Sequence, residues 1–168
     1  MLDLATLTAI HKTTTAHWES KKQSRDLIER AEGKEIGHRL ADWVDEQTCA
    51  VLTLSLDTKR QHGTNGVMSR SMGDIWVASN RIYHPVNVKT GVVGSEGQPN
   101  LVSLKKILDA FLSLQIDSYY LLFVKFIVGK PVIDSSVYVV DMLDIAEYLT
   151  FDSGPGQMML KSVKFSLT

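Results

Sequence analysis

Two short apolar runs, residues 74–79 and 84–90, separated by the step Asn80-Arg81, constrain this chain more than any other feature. Both read as strands joined by a turn. Polar residues stand at particular places in them. Asp74 opens the first run, Gly73-Asp74-Ile75-Trp76-Val77, and the triplet Asn87-Val88-Lys89 sits inside the second. Side chains alternate faces along a strand, so Asn87 and Lys89 point one way and Val88 the other. If the runs pair as neighbours, a carboxylate, an amide and an ammonium converge. Such a group can hold a divalent cation and a water beside a phosphate.

The rest of the chain supplies partners for that pair. Leu27, Ile28, Ala31, Ile36, Leu40, Trp43 and Val44 recur at helical spacing, with Gly33 and Gly37 marking a break. Residues 49–56 are short, apolar and alternating, which suggests a first strand. Residues 57–73 hold three glycines and an Asn-Gly step, the composition of an exposed loop or hairpin. A glycine-rich loop over 91–100 precedes an amphipathic helix over 101–114. Strands over 118–128 and 132–140 are rich in aromatic and β-branched residues. A short helix over 141–148 and a turn followed by an extended segment complete the chain. The expected architecture is α/β, with a mixed central sheet flanked by helices.

With 168 residues and 44% apolar content, a single domain over 1–168 can bury a core without disulfides. The lone Cys49 lies in an apolar stretch and reads as a buried, inert thiol in a reducing compartment. The N-terminal residues lack the basic flank and apolar core of a signal peptide. No apolar run reaches the ~20 residues that span a bilayer. A cytoplasmic protein with no membrane association is expected. The net charge of −1 means that affinity for a polyanion has to come from local clustering.

Phosphodiester cleavage needs an activated water, charge stabilisation at the phosphorane and help for the leaving oxygen, and Mg²⁺ can supply the last two. This cation prefers oxygen ligands and keeps several waters, so one carboxylate with a carbonyl or two is enough protein. Asp74 is the expected anchor, completed by the Asn87 side-chain oxygen and the Val88 backbone carbonyl. Lys89 would orient and polarise the attacking water. Thr90 and Ser79 offer hydroxyls to phosphate.

The order helix, strand with Asp, strand with x-x-Lys, then helix resembles the PD-(D/E)XK nuclease superfamily, typified by type II restriction endonucleases. Asp74, Asn87 and Lys89 carry the resemblance, within Pro85-Val86-Asn87-Val88-Lys89-Thr90. It implies a restriction-endonuclease-like fold, Mg²⁺ (or Mn²⁺) as cofactor, and duplex DNA as substrate. Asp74 and the second acidic position would bind metal, and Lys89 would assist the nucleophile. Two departures stand out. Gly73 replaces the proline before Asp74, and Asn87 replaces the second carboxylate, a slot in which some restriction enzymes carry Asn or Gln. The family often adds a glutamate from the first helix, which points to Glu35, with Glu32 behind it.

Basic residues gather around this stretch. Lys59, Arg60 and Arg70 would contact phosphates, with Gln61, Asn65 and Arg70 offering donors to base edges. Gln98 and Asn100 follow the motif strand. These residues also suit a solvated loop. His84 reads as a turn residue, and Trp18, Trp43 and Trp76 as core. The expectation is an Mg²⁺-dependent endodeoxyribonuclease of restriction type, acting as a homodimer or as a subunit of a larger restriction complex. Two alternatives are a non-catalytic DNA-binding or assembly module, and a structure-specific repair or junction-resolving nuclease.

Overall fold

The two apolar runs do form a hairpin. A computed structural model of the protein describes residues 1–32, 38–60, 72–93, 100–128, 133–151 and 157–160. Strand β2 (Ile75–Ser79) and strand β3 (Ile82–Val92) pair antiparallel, with Ser79 opposite Ile82. Asn80 and Arg81 have φ of 53° and 66°, so both central residues of the turn are left-handed. That turn geometry matches the natural twist of the strands it joins.

β3 is much longer than β2, and its second half has a different neighbour. It pairs with β2 as far as Val86, and in parallel with β5 (Tyr120–Val128) from Val86 to Val92. A parallel pair requires a crossover. Here the connection passes through β4 (Asn100–Ser103) and helix α4 (Leu104–Leu112). β6 (Ile133–Asp141) then returns antiparallel to β5, and β1 (Thr58–Lys59) flanks β2. The mixed five-stranded sheet runs β1-β2-β3-β5-β6. A 3₁₀ segment (Met142–Tyr148) leads to β7 (Leu149–Phe151), and β8 (Gln157–Leu160) joins β4 and β7 in a second, three-stranded sheet.

Helices cover both faces of the larger sheet. On one face, α1 (Leu4–Lys21), α2 (Arg25–Glu32) and α3 (His38–Ser55) bury Ile10, Trp18, Leu27, Leu40, Val44 and Leu52 against Ile75, Val77, Val86, Val88, Leu122 and Phe126. On the other, α4 and the 3₁₀ segment bury Ile107, Ala110, Met142 and Ile145 against Trp76, Tyr119, Leu121 and Phe123. The expected α/β architecture, a mixed sheet flanked by helices, is the one observed. Among the described residues no helix is long and apolar enough to cross a membrane.

Several elements differ from their sequence expectation. Residues 49–56 are not a strand, because α3 continues through Ser55. Val44, Thr48 and Leu52 are buried one turn apart while Leu54 is 88% exposed, so period 3.6 governs this run rather than period 2. α1 carries only Ile10, Thr14 and Trp18 as its buried stripe, a pattern too sparse to stand out in the sequence. Its first turn is capped by the Asp3 carboxylate, which accepts from the Thr6 N–H at 2.7 Å. The helix over 101–114 starts later, at Leu104, where the Ser103 hydroxyl accepts from the Lys106 N–H. It ends in paired bonds, Gln115 N–H to Ala110 C=O and Leu114 N–H to Phe111 C=O, with Leu114 at φ 55°.

Candidate metal centre

The second half of β3 builds the site. Cross-strand partners share a face, and Asn87 and Lys89 lie opposite Leu121 and Phe123, which belong to the α4 side. Thr90 lies opposite Val124, on the α3 side. Asn87 and Lys89 therefore share one face of the sheet, and Thr90 lies on the other, toward α3.

Asp74 sits just before β2, where the edge of β3 loses its β2 partner. Its backbone N–H donates to Val86 C=O at 3.0 Å, and its Oδ2 accepts from Val88 N–H at 2.7 Å. A residue's N–H and C=O leave a strand on the same edge. The Val88 carbonyl thus lies on the edge that Asp74 occupies. Gly73 makes this close approach possible. A Cβ there would meet Val86 N and O at 3.0 Å and the Pro85 Cβ at 3.1 Å. Backbone crowding thus favours glycine in the slot before Asp74.

Asn87 is 8% exposed. Its Nδ2 donates to Tyr119 Oη at 2.9 Å, and its Oδ1 is a buried acceptor with no protein partner. Buried polar atoms in native proteins are nearly always paired, so an unpaired one calls for a physical reason.

The sequence reading missed Asp45. It is half-buried on α3, and its Oδ1 accepts from the Cys49 thiol at 3.1 Å. Burial raises its pKa, against the opposing pull of the Cys49 bond, Arg60 and Lys89. Burial also raises Asp74, to about 6, with the Asp45 charge adding to it and Lys89, the Val88 N–H and Arg60 opposing. Burial lowers Lys89, while Asp74 and Asp45 hold it up. Two carboxylates and two cations therefore act on one another at the end of the hairpin. Burial and then Asp45 drive the Cys49 thiol up, so it is an inert neighbour. The signal that marks Asp45 is its i, i+4 relation to Cys49 on one helix. It disappears if residues 49–56 are read as a strand.

Other expected residues fall elsewhere. Arg60 is half-buried within electrostatic reach of both carboxylates. Lys59 is exposed, with its ammonium over the Tyr83 ring at 4.1 Å. Ser79 is committed to the start of α1, donating to Asp3 Oδ2 at 2.8 Å and accepting from Asp3 N–H at 3.2 Å. Asn100 opens β4 in the smaller sheet. Glu35, Gln61, Asn65, Arg70 and Gln98 lie outside the described residues. His84 is no turn residue: it is 2% exposed within β3, and its Nδ1 lies 3.0 Å from both Ser118 Oγ and Asp117 Oδ1. Both partners use one ring nitrogen, so this is not a relay of the Ser-His-Asp kind, which needs both.

Among the described residues no three His, Cys, Asp or Glu side chains form a metal-binding group. The donors at the hairpin end are two carboxylates, an amide oxygen and a backbone carbonyl. These are all hard oxygens, and one of them is orphaned and buried, which fits Mg²⁺ with part of its water shell retained. No protein-family profile matches the chain, and no curated protein matches it in sequence.

Proposed function

We propose that the protein is a divalent-metal-dependent endodeoxyribonuclease of the PD-(D/E)XK type, with its centre at Asp74, Asp45, Asn87 and Lys89. One observation carries the reading. On β3 a buried amide oxygen without a partner, Asn87 Oδ1, adjoins Val88, from whose N–H Asp74 accepts, and there Asp74, Asp45 on α3 and the half-buried Lys89 shift one another's pKa. Perturbed titratable groups that meet around an unpaired acceptor are typical of sites that bind charge.

Asp74, Asp45, Asn87 Oδ1 and the Val88 carbonyl would hold Mg²⁺ or Mn²⁺. When bound, the ion stabilises charge on the phosphorane and on the leaving oxygen. Asp45 takes the place that the sequence reading gave to Glu35, restoring the charge that Asn87 does not supply. The Lys89 ammonium donates to the attacking water, orients it and favours its hydroxide form. Burial strengthens that interaction by lowering the local dielectric. Arg60, within electrostatic reach of both carboxylates, would meet a phosphate next to them. One such site makes one nick, so a double-strand cut requires a homodimer or a subunit of a larger restriction complex.

Incubating a sequenced phage genome with the protein and Mg²⁺, then mapping the ends, tests this reading. Discrete ends that vanish with chelator or with Asp74→Ala support it. Ends at branched or mismatched positions alone would instead indicate a repair or junction-resolving nuclease. The neutral Asn87 favours a second reading, a DNA-binding or assembly module without catalysis. Under that reading DNA binding is tight and unchanged by divalent ions.

A further inference from the structure

Tyr119 is completely buried just before β5, and its hydroxyl joins two segments of the site. Its Oη donates to the Met72 carbonyl at 2.6 Å and accepts from Asn87 Nδ2 at 2.9 Å. Met72 leads directly into Gly73 and Asp74. A phenol has one proton, and here that proton goes to Met72. What remains on Oη is acceptor capacity, so residue 87 has to present a donor to it. An amide does this with its nitrogen, which sends its oxygen the other way, where it has no protein partner. A carboxylate at 87 would set oxygen against oxygen unless Tyr119 gave up Met72.

We infer that Tyr119 is a positioning residue: its hydroxyl fixes the Asn87 amide with the oxygen toward the cation site, and makes asparagine the matched residue at that position. The inference rests on the metal-centre reading above for what the oxygen is used for. The amide orientation itself stands on the Tyr119 bonds. Phenylalanine at 119 would leave Asn87 free to present its NH₂ group, which repels a cation. Aspartate at 87 has two equivalent oxygens, so for it the orientation does not matter.

The test is a double-mutant cycle on Mn²⁺ affinity, read by electron paramagnetic resonance of the free ion, across wild type, Tyr119→Phe, Asn87→Asp and the double variant. Removing an outer partner that orients a ligand typically costs about 10–100-fold in metal affinity. That loss is expected when Tyr119→Phe is made in the wild-type chain, with little loss when it is added to Asn87→Asp. Equal losses in both backgrounds would reduce Tyr119 to a purely structural residue and overturn the inference. An NMR arm needs neither metal nor a phenylalanine variant. In the wild-type protein the Asn87 side-chain NH₂ should show a nuclear Overhauser contact to the Tyr119 ring and slowed hydrogen exchange, and absence of both would overturn the inference. If wild type binds no Mn²⁺ yet shows the NMR contact, the metal-centre reading fails and the Tyr119–Asn87 orientation stands.

Discussion

Strand β3 carries two polar clusters three residues apart, and they are built on opposite principles. At His84 the polar groups satisfy one another. The imidazole meets Ser118 and Asp117, and the Ser118 hydroxyl donates to Asp117 at 2.8 Å. The Met1 amino group and the Ser118 bond then hold the Asp117 carboxyl down at about 2. At Asn87 the balance is reversed. An amide oxygen is orphaned, a carboxyl is pushed up to about 6 and a lysine is pulled down. The first cluster stabilises the fold, whereas the second costs stability that a bound cation would recover. Polar residues in a strand do not by themselves mark a site. Nor does an unpaired atom alone, since Trp76 Nε1 in β2 and Ser135 Oγ in β6 also lack a partner; at Asn87 the perturbed charges of Asp74 and Lys89 stand beside it.

That contrast can be broken by mutation, and, short of removing Asp74 or Lys89 themselves, the largest effect belongs to Asp45. Asp45→Asn should slow cleavage on the order of 100-fold. It should also lower the Asp74 pKa, because the Asp45 charge is the second cause of its elevation. Carboxyl-carbon NMR titration of Asp74 checks the shift, and an unmoved Asp74 would separate the two residues.

Stability measurements should then show opposite signs at the two clusters. The Asp74 carboxyl binds its proton more tightly in the folded chain, at about 6 against an ordinary 3.8. Below about pH 4 both states are protonated there. The penalty builds as pH rises from about 4 to about 6 and is complete above that. Asp74→Asn should therefore stabilise the metal-free protein at pH 8, on the order of 1–3 kcal/mol, with the gain gone near pH 4. Ser118→Ala should instead destabilise by about 1–2 kcal/mol and leave Mn²⁺ binding unchanged. Urea unfolding in the presence of chelator measures both.

The pH dependence at His84 runs the other way. Burial lowers its pKa below the ordinary 6.5, so the folded chain gives up that proton more readily than the unfolded one. Stability is lost as pH falls below 6.5, and His84→Gln should remove that part of the acid dependence. The smallest effect comes from a place that is strained without being functional. Leu114 holds φ 55° beyond α4 and is 89% exposed, so Leu114→Gly should stabilise by about 0.5–1 kcal/mol with cleavage unchanged. A matching loss of cleavage would show that strain outside the site also serves it.

Much of this was legible in the sequence because it is local. The hairpin, the shared face of Asn87 and Lys89, and the paired aromatic strands follow from period-2 alternation and turn chemistry. Asp45 was not legible, because the apolar run 49–56 satisfies both periods and the strand reading separated Cys49 from the helical stretch before it. Tyr119 was not legible either, since its value lies in bonds to Met72 and Asn87, 47 and 32 residues away in sequence. Thr90 and Ser79 show the converse. Being near the motif in sequence put them in the site, while strand alternation turns Thr90 away from Asn87 and Lys89 and the start of α1 takes up Ser79.

The most direct measurement is nicking of supercoiled plasmid by wild type, Asp74→Ala, Lys89→Ala and, as a folded control, Ser118→Ala, each with Mg²⁺, with Mn²⁺ and with chelator. The account predicts metal-dependent nicking by wild type and Ser118→Ala, and a loss of about 10²–10⁴-fold in the Asp74 and Lys89 variants. Undiminished cutting by either of those two variants, or no cutting by wild type with either ion, would contradict it.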